Sequence, residues 1–108
     1  MTETVNFVTV AKVGDIAAGG VKVVRLEDQL VAIFHVGDAY YALDDVCTHD
    51  GGPLAEGPLE DHVIECPRHG ARFDVRTGAV LCMPATAPVP SHETRVVDGE
   101  IQVAWPAQ

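Results

Sequence analysis

The stretch LVAIFHVGDAYYAL, residues 30–43, contains two apolar runs separated by the dipeptide Gly37-Asp38. Two residues of this kind supply the positive φ angles that a tight hairpin turn needs. Leu30 to Val36 is apolar at nearly every position, which predicts a central strand covered on both faces. The stretch therefore predicts a buried hairpin whose second strand is Tyr40 to Leu43.

The same kind of pattern extends to both sides of this hairpin. Val5 to Val10 and Val21 to Leu26 are short β-rich runs bounded by turn residues, and helical periodicity is hard to find anywhere in the chain. Residues 14–20 predict a turn, with at most one helical turn capped by Asp15. The fold class that we predict is all-β, with one sheet packed against another.

The C-terminal part of the chain predicts a further hairpin. Asp98-Gly99 is a second two-residue turn signal. After it, Ile101, Val103 and Trp105 alternate with Gln102 and Ala104, as in a half-exposed strand. We read Trp105 as a core residue rather than an electron relay.

Length and composition predict one domain, residues 1–108. Prolines and glycines concentrate between Asp44 and Pro90, so we expect a strand-built base, residues 1–43 and 84–108, interrupted by a loop-built cap at 44–83. No apolar run is long enough to cross a bilayer, and no basic residue precedes the apolar stretch at the N-terminus. These features predict a soluble, cytoplasmic protein with no membrane partner.

The charge of the chain restricts its partners. Seven Lys and Arg residues stand against 16 Asp and Glu, which gives a net charge of −9. Such a surface repels nucleic acid and anionic membranes and attracts a protein with a basic patch. The acidic residues of the cap form either a solvated surface or a docking face: Asp44, Asp45, Asp50, Glu56, Glu60, Asp61, Glu65 and Asp74.

Two short motifs in the cap supply four potential metal ligands. Cys47-Thr48-His49 has the pattern C-x-H, and after 16 intervening residues Cys66-Pro67-Arg68-His69 has the pattern C-x2-H. Thiolate and imidazole ligands suit zinc or an iron–sulfur cluster. The single residue between Cys47 and His49 fits a zinc knuckle poorly. It fits a centre with two metal ions, in which each loop gives one ligand to each iron.

The residues around these motifs resemble a known family. CTHDGGPLAEG at residues 47–57, CPRHGARFD at residues 66–74 and Thr77-Gly78 are similar to the Rieske ferredoxins, especially those of bacterial ring-hydroxylating oxygenases. The resemblance covers nearly the whole chain and implies a β-sandwich base with a smaller cluster-binding subdomain. It also implies one [2Fe-2S] cluster held by Cys47, His49, Cys66 and His69, and a third loop over the cluster near Pro84.

The function implied by the resemblance is electron transfer, not catalysis. The protein would carry one electron at a time, as a monomer, from a flavin-dependent NAD(P)H reductase to a terminal aromatic-ring oxygenase. A small subunit of a nitrite reductase and a ferredoxin of another redox system are alternatives within the same class. A zinc-stabilised interaction module is the alternative from a different class.

The chain departs from the Rieske proteins of respiratory complexes at several positions. Gly52 and Arg68 stand where those relatives carry two bridging cysteines, so we predict no disulfide. Ala71 and Phe73 stand where high-potential relatives carry serine and tyrosine, which predicts a low reduction potential.

Several remaining residues need no function in electron transfer. Cys82 lies outside both loops, and we expect it to be a small buried residue. For His35, His62 and His92 we expect structural or solvent-facing roles.

Overall fold

The computed structural model describes residues 6–48, 52–68, 70–83 and 87–105. These residues form eleven strands and no helix, which confirms the all-β prediction. The part of the chain thus described holds no helix of the length and apolarity that a membrane span requires. The strands are β1 (Phe7–Lys12), β2 (Val21–Leu26), β3 (Gln29–Val36), β4 (Ala39–Asp44), β5 (Leu59–Glu60), β6 (Val63–Glu65), β7 (Arg72–Asp74), β8 (Val80–Cys82), β9 (Ser91–His92), β10 (Thr94–Val97) and β11 (Glu100–Ala104).

The strands form three antiparallel sheets. One sheet has the order β1-β11-β10, the second β2-β3-β4-β9 and the third β5-β6-β7-β8. The chain leaves the second sheet after β4, builds the whole third sheet and returns to the second sheet at β9. The strands of the third sheet all fall within residues 44–83, although the division of the domain at those residues stays a prediction.

The central strand β3 is covered on both faces, as its apolar sequence predicts. Val31 and Ile33 belong to a buried cluster shared with Ile101 and Val103 of β11. Ala32, on the opposite face, belongs to a second buried cluster, which also includes residues of the third sheet. Since successive side chains of a strand point to opposite faces, β3 joins the two cores of the molecule.

Among the described residues, two-residue turns connect four pairs of strands. The predicted turns Gly37-Asp38 and Asp98-Gly99 are confirmed, because Val36 pairs with Ala39 and Val97 pairs with Glu100. The turns Glu27-Asp28 and Asp61-His62 were not predicted. They lack glycine, yet Glu27 and Asp61 adopt the positive φ values of 55° and 52°.

Two sequence-based expectations differ from the structure, those for Ala104 and for the cap. Ala104 is buried rather than half exposed, because it pairs with Phe7 and its N–H donates to the Glu93 carbonyl at 2.9 Å. The turn predicted at residues 14–20 is confirmed, without a helical turn, and the Asp15 carboxylate accepts the Lys12 N–H at 2.8 Å. The cap is not made of loops alone, since it contains the four strands of the third sheet.

Candidate metal centre

The first ligand loop leaves the second sheet at the end of β4. Its entrance is fixed by two backbone hydrogen bonds, from the Asp44 N–H to the Pro90 carbonyl at 3.0 Å and from the Asp45 N–H to the Leu30 carbonyl at 2.9 Å. Cys47 follows, fully buried, and its N–H donates to the Gly52 carbonyl at 2.8 Å. The backbone at Cys47 is therefore tied to the returning part of its own loop.

A side chain completes the closure of this first loop. One carboxylate oxygen of Asp45, Oδ1, accepts the N–H of Leu54 at 2.8 Å and the N–H of Ala55 at 2.7 Å. Leu54 and Ala55 lie nine and ten positions after Asp45, so no local sequence pattern predicts the contact. Sequence reasoning singled out Asp45 only as an acidic surface residue.

The second ligand loop connects β6 to β7 and is much tighter. The Cys66 N–H donates to the Ala71 carbonyl at 2.7 Å, and the Gly70 N–H donates to the Cys66 carbonyl at 3.1 Å. Gly70 has φ +79°, a conformation that costs a residue with a Cβ about 1–2 kcal/mol. Cys66 itself is only 1% exposed.

The two loops meet in one core. Cys47 and Cys66 belong to the same cluster of buried side chains, together with Leu54, Ala71 and Phe73. The two predicted cysteine ligands, 19 positions apart in sequence, are thus buried in the same core.

A glycine allows the end of the first loop to pack directly on the backbone that leads into the second. A Cβ at Gly57 would lie 1.7 Å from the Glu65 carbonyl oxygen, the residue before Cys66. No other residue type fits there without displacing that backbone. The register of the two loops is consequently set by a main-chain contact.

The predicted ligands His49 and His69 lie outside the described residues, as do Asp50 and the third-loop residue Pro84. Next to His49, the Thr48 hydroxyl donates to the Ala87 carbonyl at 2.6 Å. This bond connects the first ligand loop to the segment that follows residues 84–86.

Cys82 does not occupy a core position, so the expectation of a small buried residue was wrong. It is exposed and lies on β8, the edge strand of the third sheet, opposite Arg72. Its Sγ lies 3.0 Å from the Met83 carbonyl oxygen. An edge strand leaves one side without a neighbouring strand, and apolar composition alone does not reveal this position.

The acidic residues of the cap divide into two groups. Some carboxylates have partners within the protein: Asp44 contacts His92 at 2.7 Å, Glu65 contacts Arg72 at 2.9 Å and Asp74 contacts Arg76 at 2.9 Å. The hydrogen bond from the Arg76 guanidinium lowers the pKa of the Asp74 carboxyl below its ordinary value.

A second group of acidic residues faces solvent. Glu56, Glu60 and Asp61 are exposed. Two of them border a cleft of about 240 Å³ on the third sheet, lined by Pro58, Glu60, Asp61, Val63, Glu65 and Arg72. Negative charge thus reaches the surface of the cap.

The remaining histidines contact other protein groups. The His35 Nδ1 lies 2.8 Å from the Ile16 carbonyl, and its ring stacks on Tyr40 at 4.3 Å. The His62 ring meets Tyr41 edge-on at 5.7 Å. Trp105 packs beside the core of the base, with its ring 5.3 Å from His92.

The fold and the two cysteine loops agree with a family assignment. The family model of the Rieske [2Fe-2S] domain matches residues 6–93, and the chain belongs to this family. Membership implies a Rieske [2Fe-2S] cluster as the cofactor.

The similar proteins of known name are ferredoxins. The chain is 44% identical over 73 residues to the anthranilate 1,2-dioxygenase ferredoxin subunit of Burkholderia cepacia, covering 68% of each chain. It is 36% identical over 103 residues to the 3-phenylpropionate/cinnamic acid dioxygenase ferredoxin subunit of Escherichia coli K12, covering 94% of this chain and 95% of the relative.

The chain is also similar to a solved structure of such a system. One chain in a complex of reduced oxygenase and oxidized ferredoxin, from carbazole 1,9a-dioxygenase, matches with a TM-score of 0.89 and 38% identity. The match covers 94% of this chain and 95% of the other.

Proposed function

We propose that this protein is a one-electron carrier of an aromatic-ring-hydroxylating oxygenase system. It takes electrons from a flavin-dependent NAD(P)H reductase and delivers them to a terminal oxygenase through a Rieske [2Fe-2S] cluster. The observation that carries the proposal is the common burial of Cys47 and Cys66, each near the start of a closed loop, in one core cluster. The protein itself makes and breaks no bond in a substrate.

The donor set of the two loops fits such a cluster. Thiolates are the usual ligands of iron–sulfur clusters, and in Rieske centres two imidazoles replace two thiolates on one iron. The proposed ligands are Cys47 and Cys66 for one iron and His49 and His69 for the other. When bound, the cluster supplies a site that accepts and releases one electron.

The chain's own residues have three tasks in this function. The two buried cysteines hold the cluster, and the closed backbone around each cysteine keeps the thiolates in place. The apolar residues around the cysteines, such as Leu54 and Phe73, exclude water from that side. A fixed, dry environment reduces the reorganisation that accompanies each change in charge.

The similar proteins support an oxygenase as the electron acceptor. Their names describe ferredoxin subunits of dioxygenases, and one solved structure is a complex of a ferredoxin with an oxygenase. The reductase partner, the monomeric state and the cytoplasmic location are further parts of the proposal, consistent with the small size and the net charge of −9.

Metal content and magnetic resonance test the cluster. We expect two irons and two acid-labile sulfides per chain, and a reduced-state electron paramagnetic resonance spectrum with the low average g value of mixed Cys and His ligation. Cys47→Ser should lose the cluster. Cys82→Ser is the matched control and should retain it, because Cys82 is exposed and outside both loops. Stoichiometric zinc in a colourless wild-type protein would overturn the proposal.

A reconstitution assay tests the partner class. The reduced protein should support turnover of a ring-hydroxylating oxygenase supplied with its reductase and NADH. Support of nitrite reduction with no support of the oxygenase would favour the alternative, a nitrite reductase subunit. Either result leaves the cluster assignment intact.

A further inference from the structure

Main-chain hydrogen bonds close both ligand loops, and in the first loop the Asp45 carboxylate adds two more. Around Cys66, main-chain bonds join Cys66 to Ala71 and Gly70 to Cys66, and the Cys82 Sγ lies 3.8 Å from the Gly70 carbonyl oxygen. Around Cys47 a main-chain bond to Gly52 is joined by two bonds to the Asp45 carboxylate. A point substitution can remove the carboxylate, but it cannot remove a main-chain carbonyl.

Asp45 is held through both its main chain and its side chain. Its own N–H donates to the Leu30 carbonyl, where β3 begins, so the backbone of Asp45 is fixed to the base. Its Oδ1 receives two N–H groups at 2.8 Å and 2.7 Å. Bonds to an ionised acceptor are short and about twice as strong as neutral ones.

The two donors lie where water cannot easily replace the carboxylate. Leu54 is fully buried and Ala55 is 9% exposed. A buried N–H that loses its acceptor carries a desolvation penalty, so the loop must open to regain a partner from water. Opening at Leu54 would pull apart the segment that encloses Cys47.

We propose that Asp45 is a positioning residue for the cluster, acting through the first ligand loop. Its carboxylate clamps residues 54 and 55 to the end of β4 and thereby fixes Cys47. The inference rests on the proposed function, since it assumes that Cys47 is a cluster ligand. It predicts that the Cys47 side of the centre is sensitive to a side-chain change.

The test compares three variants of the iron-loaded protein. Asp45→Ala removes the acceptor, and Asp45→Asn keeps an oxygen that can accept both N–H groups, although more weakly. Thr94→Val is the matched control, because the Thr94 hydroxyl donates to the Tyr40 carbonyl at 2.6 Å in the base, away from the ligand loops. The measurements are iron release to a chelator, the spectrum of the reduced cluster and amide exchange.

We expect Asp45→Ala to release iron at least about tenfold faster than wild type. The spectrum of its cluster should change, and the amides of Leu54 and Ala55 should exchange faster. Asp45→Asn should restore most of the wild-type behaviour. Thr94→Val should lower the thermal midpoint without changing iron release or the spectrum at a temperature where the protein is folded.

Two results would overturn the inference. One is an Asp45→Ala protein with wild-type iron release and spectrum. The other is an Asp45→Ala protein that releases iron no faster than Thr94→Val when each variant is measured at the same number of degrees below its own thermal midpoint. If Asp45→Ala does not fold, Asp45→Ser takes its place in both comparisons, because it likewise removes the carboxylate.

Failure of the proposed function would look different. It would appear in the wild-type protein as the absence of iron and sulfide, before any variant is compared. Amide exchange at Leu54 and Ala55 needs no cluster, so it would still report whether Asp45 closes the loop.

Discussion

Ala71 and Phe73 are fully buried beside Cys66 and have no hydroxyl to offer the centre. Ala71 is already linked to the ligand loop, since its carbonyl accepts the Cys66 N–H at 2.7 Å. Phe73 lies two residues further along, on β7. Hydrogen bonds to the sulfurs of a cluster stabilise the added electron, so each donor that is absent leaves the reduced state less favoured.

We therefore expect a reduction potential near the low end of the Rieske range, roughly −150 mV. The variants Ala71→Ser and Phe73→Tyr should raise the potential while the cluster stays assembled, because each adds a hydroxyl donor. Protein-film voltammetry of the wild type and both variants measures this. A wild-type value above about +100 mV would show that another feature sets the potential.

The elements of the cap are small, and main-chain contacts hold them in place. Gly78 connects the third sheet to the segment that returns to the base, because the Val89 N–H donates to the Gly78 carbonyl at 2.9 Å. A Cβ at Gly78 would lie 1.8 Å from the Val89 carbonyl oxygen. Gly19, in a turn of the base, has the same φ of +81° but nothing within 4 Å of its Cβ position.

This pair separates the cost of a positive φ from the cost of a clash. Gly19→Ala and Gly78→Ala should each lower the free energy of unfolding by about 1–2 kcal/mol, because a residue with a Cβ disfavours the positive φ. Gly78→Ala should lower the free energy of unfolding by about 1–3 kcal/mol more, since the Val89 carbonyl oxygen must move. Thermal unfolding followed by circular dichroism should give a midpoint for Gly78→Ala at least about 4 °C below that of Gly19→Ala. Equal midpoints would mean that the cap accommodates the methyl group.

The length of an element decides how well sequence predicts it. Val21–Leu26 agrees with β2 at both ends, because six residues between turn signals are enough to show a β pattern. β5 and β9 have two residues each and show no periodicity. The position of β9 depends on pairing with β4 and on the contact between His92 and Asp44, which are 48 residues apart.

In the candidate site, too, the sequence predicts local features better than long-range contacts. The Cys and His motifs are visible because ligand spacing is local. The Asp45 contacts and the exposure of Cys82 are consequences of how the chain returns on itself. Such contacts depend on tertiary structure, and residue type alone does not specify them.

The whole molecule carries an excess of negative charge. The chain carries a net −9, and internal partners account for some carboxylates of the cap, including Glu65 and Asp74. Exposed Glu60 and Asp61 contribute to the field that a partner meets. A field of one sign accelerates encounter with an oppositely charged protein by about 10- to 1,000-fold and does so less as salt rises.

We expect electron transfer from the proposed reductase to be steered by this charge. The bimolecular rate, measured by stopped-flow, should fall between low and moderate ionic strength, because screening shortens to about 10 Å at 0.1 M salt. The double variant Glu60→Gln/Asp61→Asn should lower the rate at low salt and flatten its salt dependence. Its control, Asp38→Asn/Asp98→Asn, also removes two negative charges but does so in hairpin turns of the base. Equal effects of the two pairs would assign the steering to net charge rather than to the cap. A rate that does not depend on salt would show that the acidic cap is only a solvated surface.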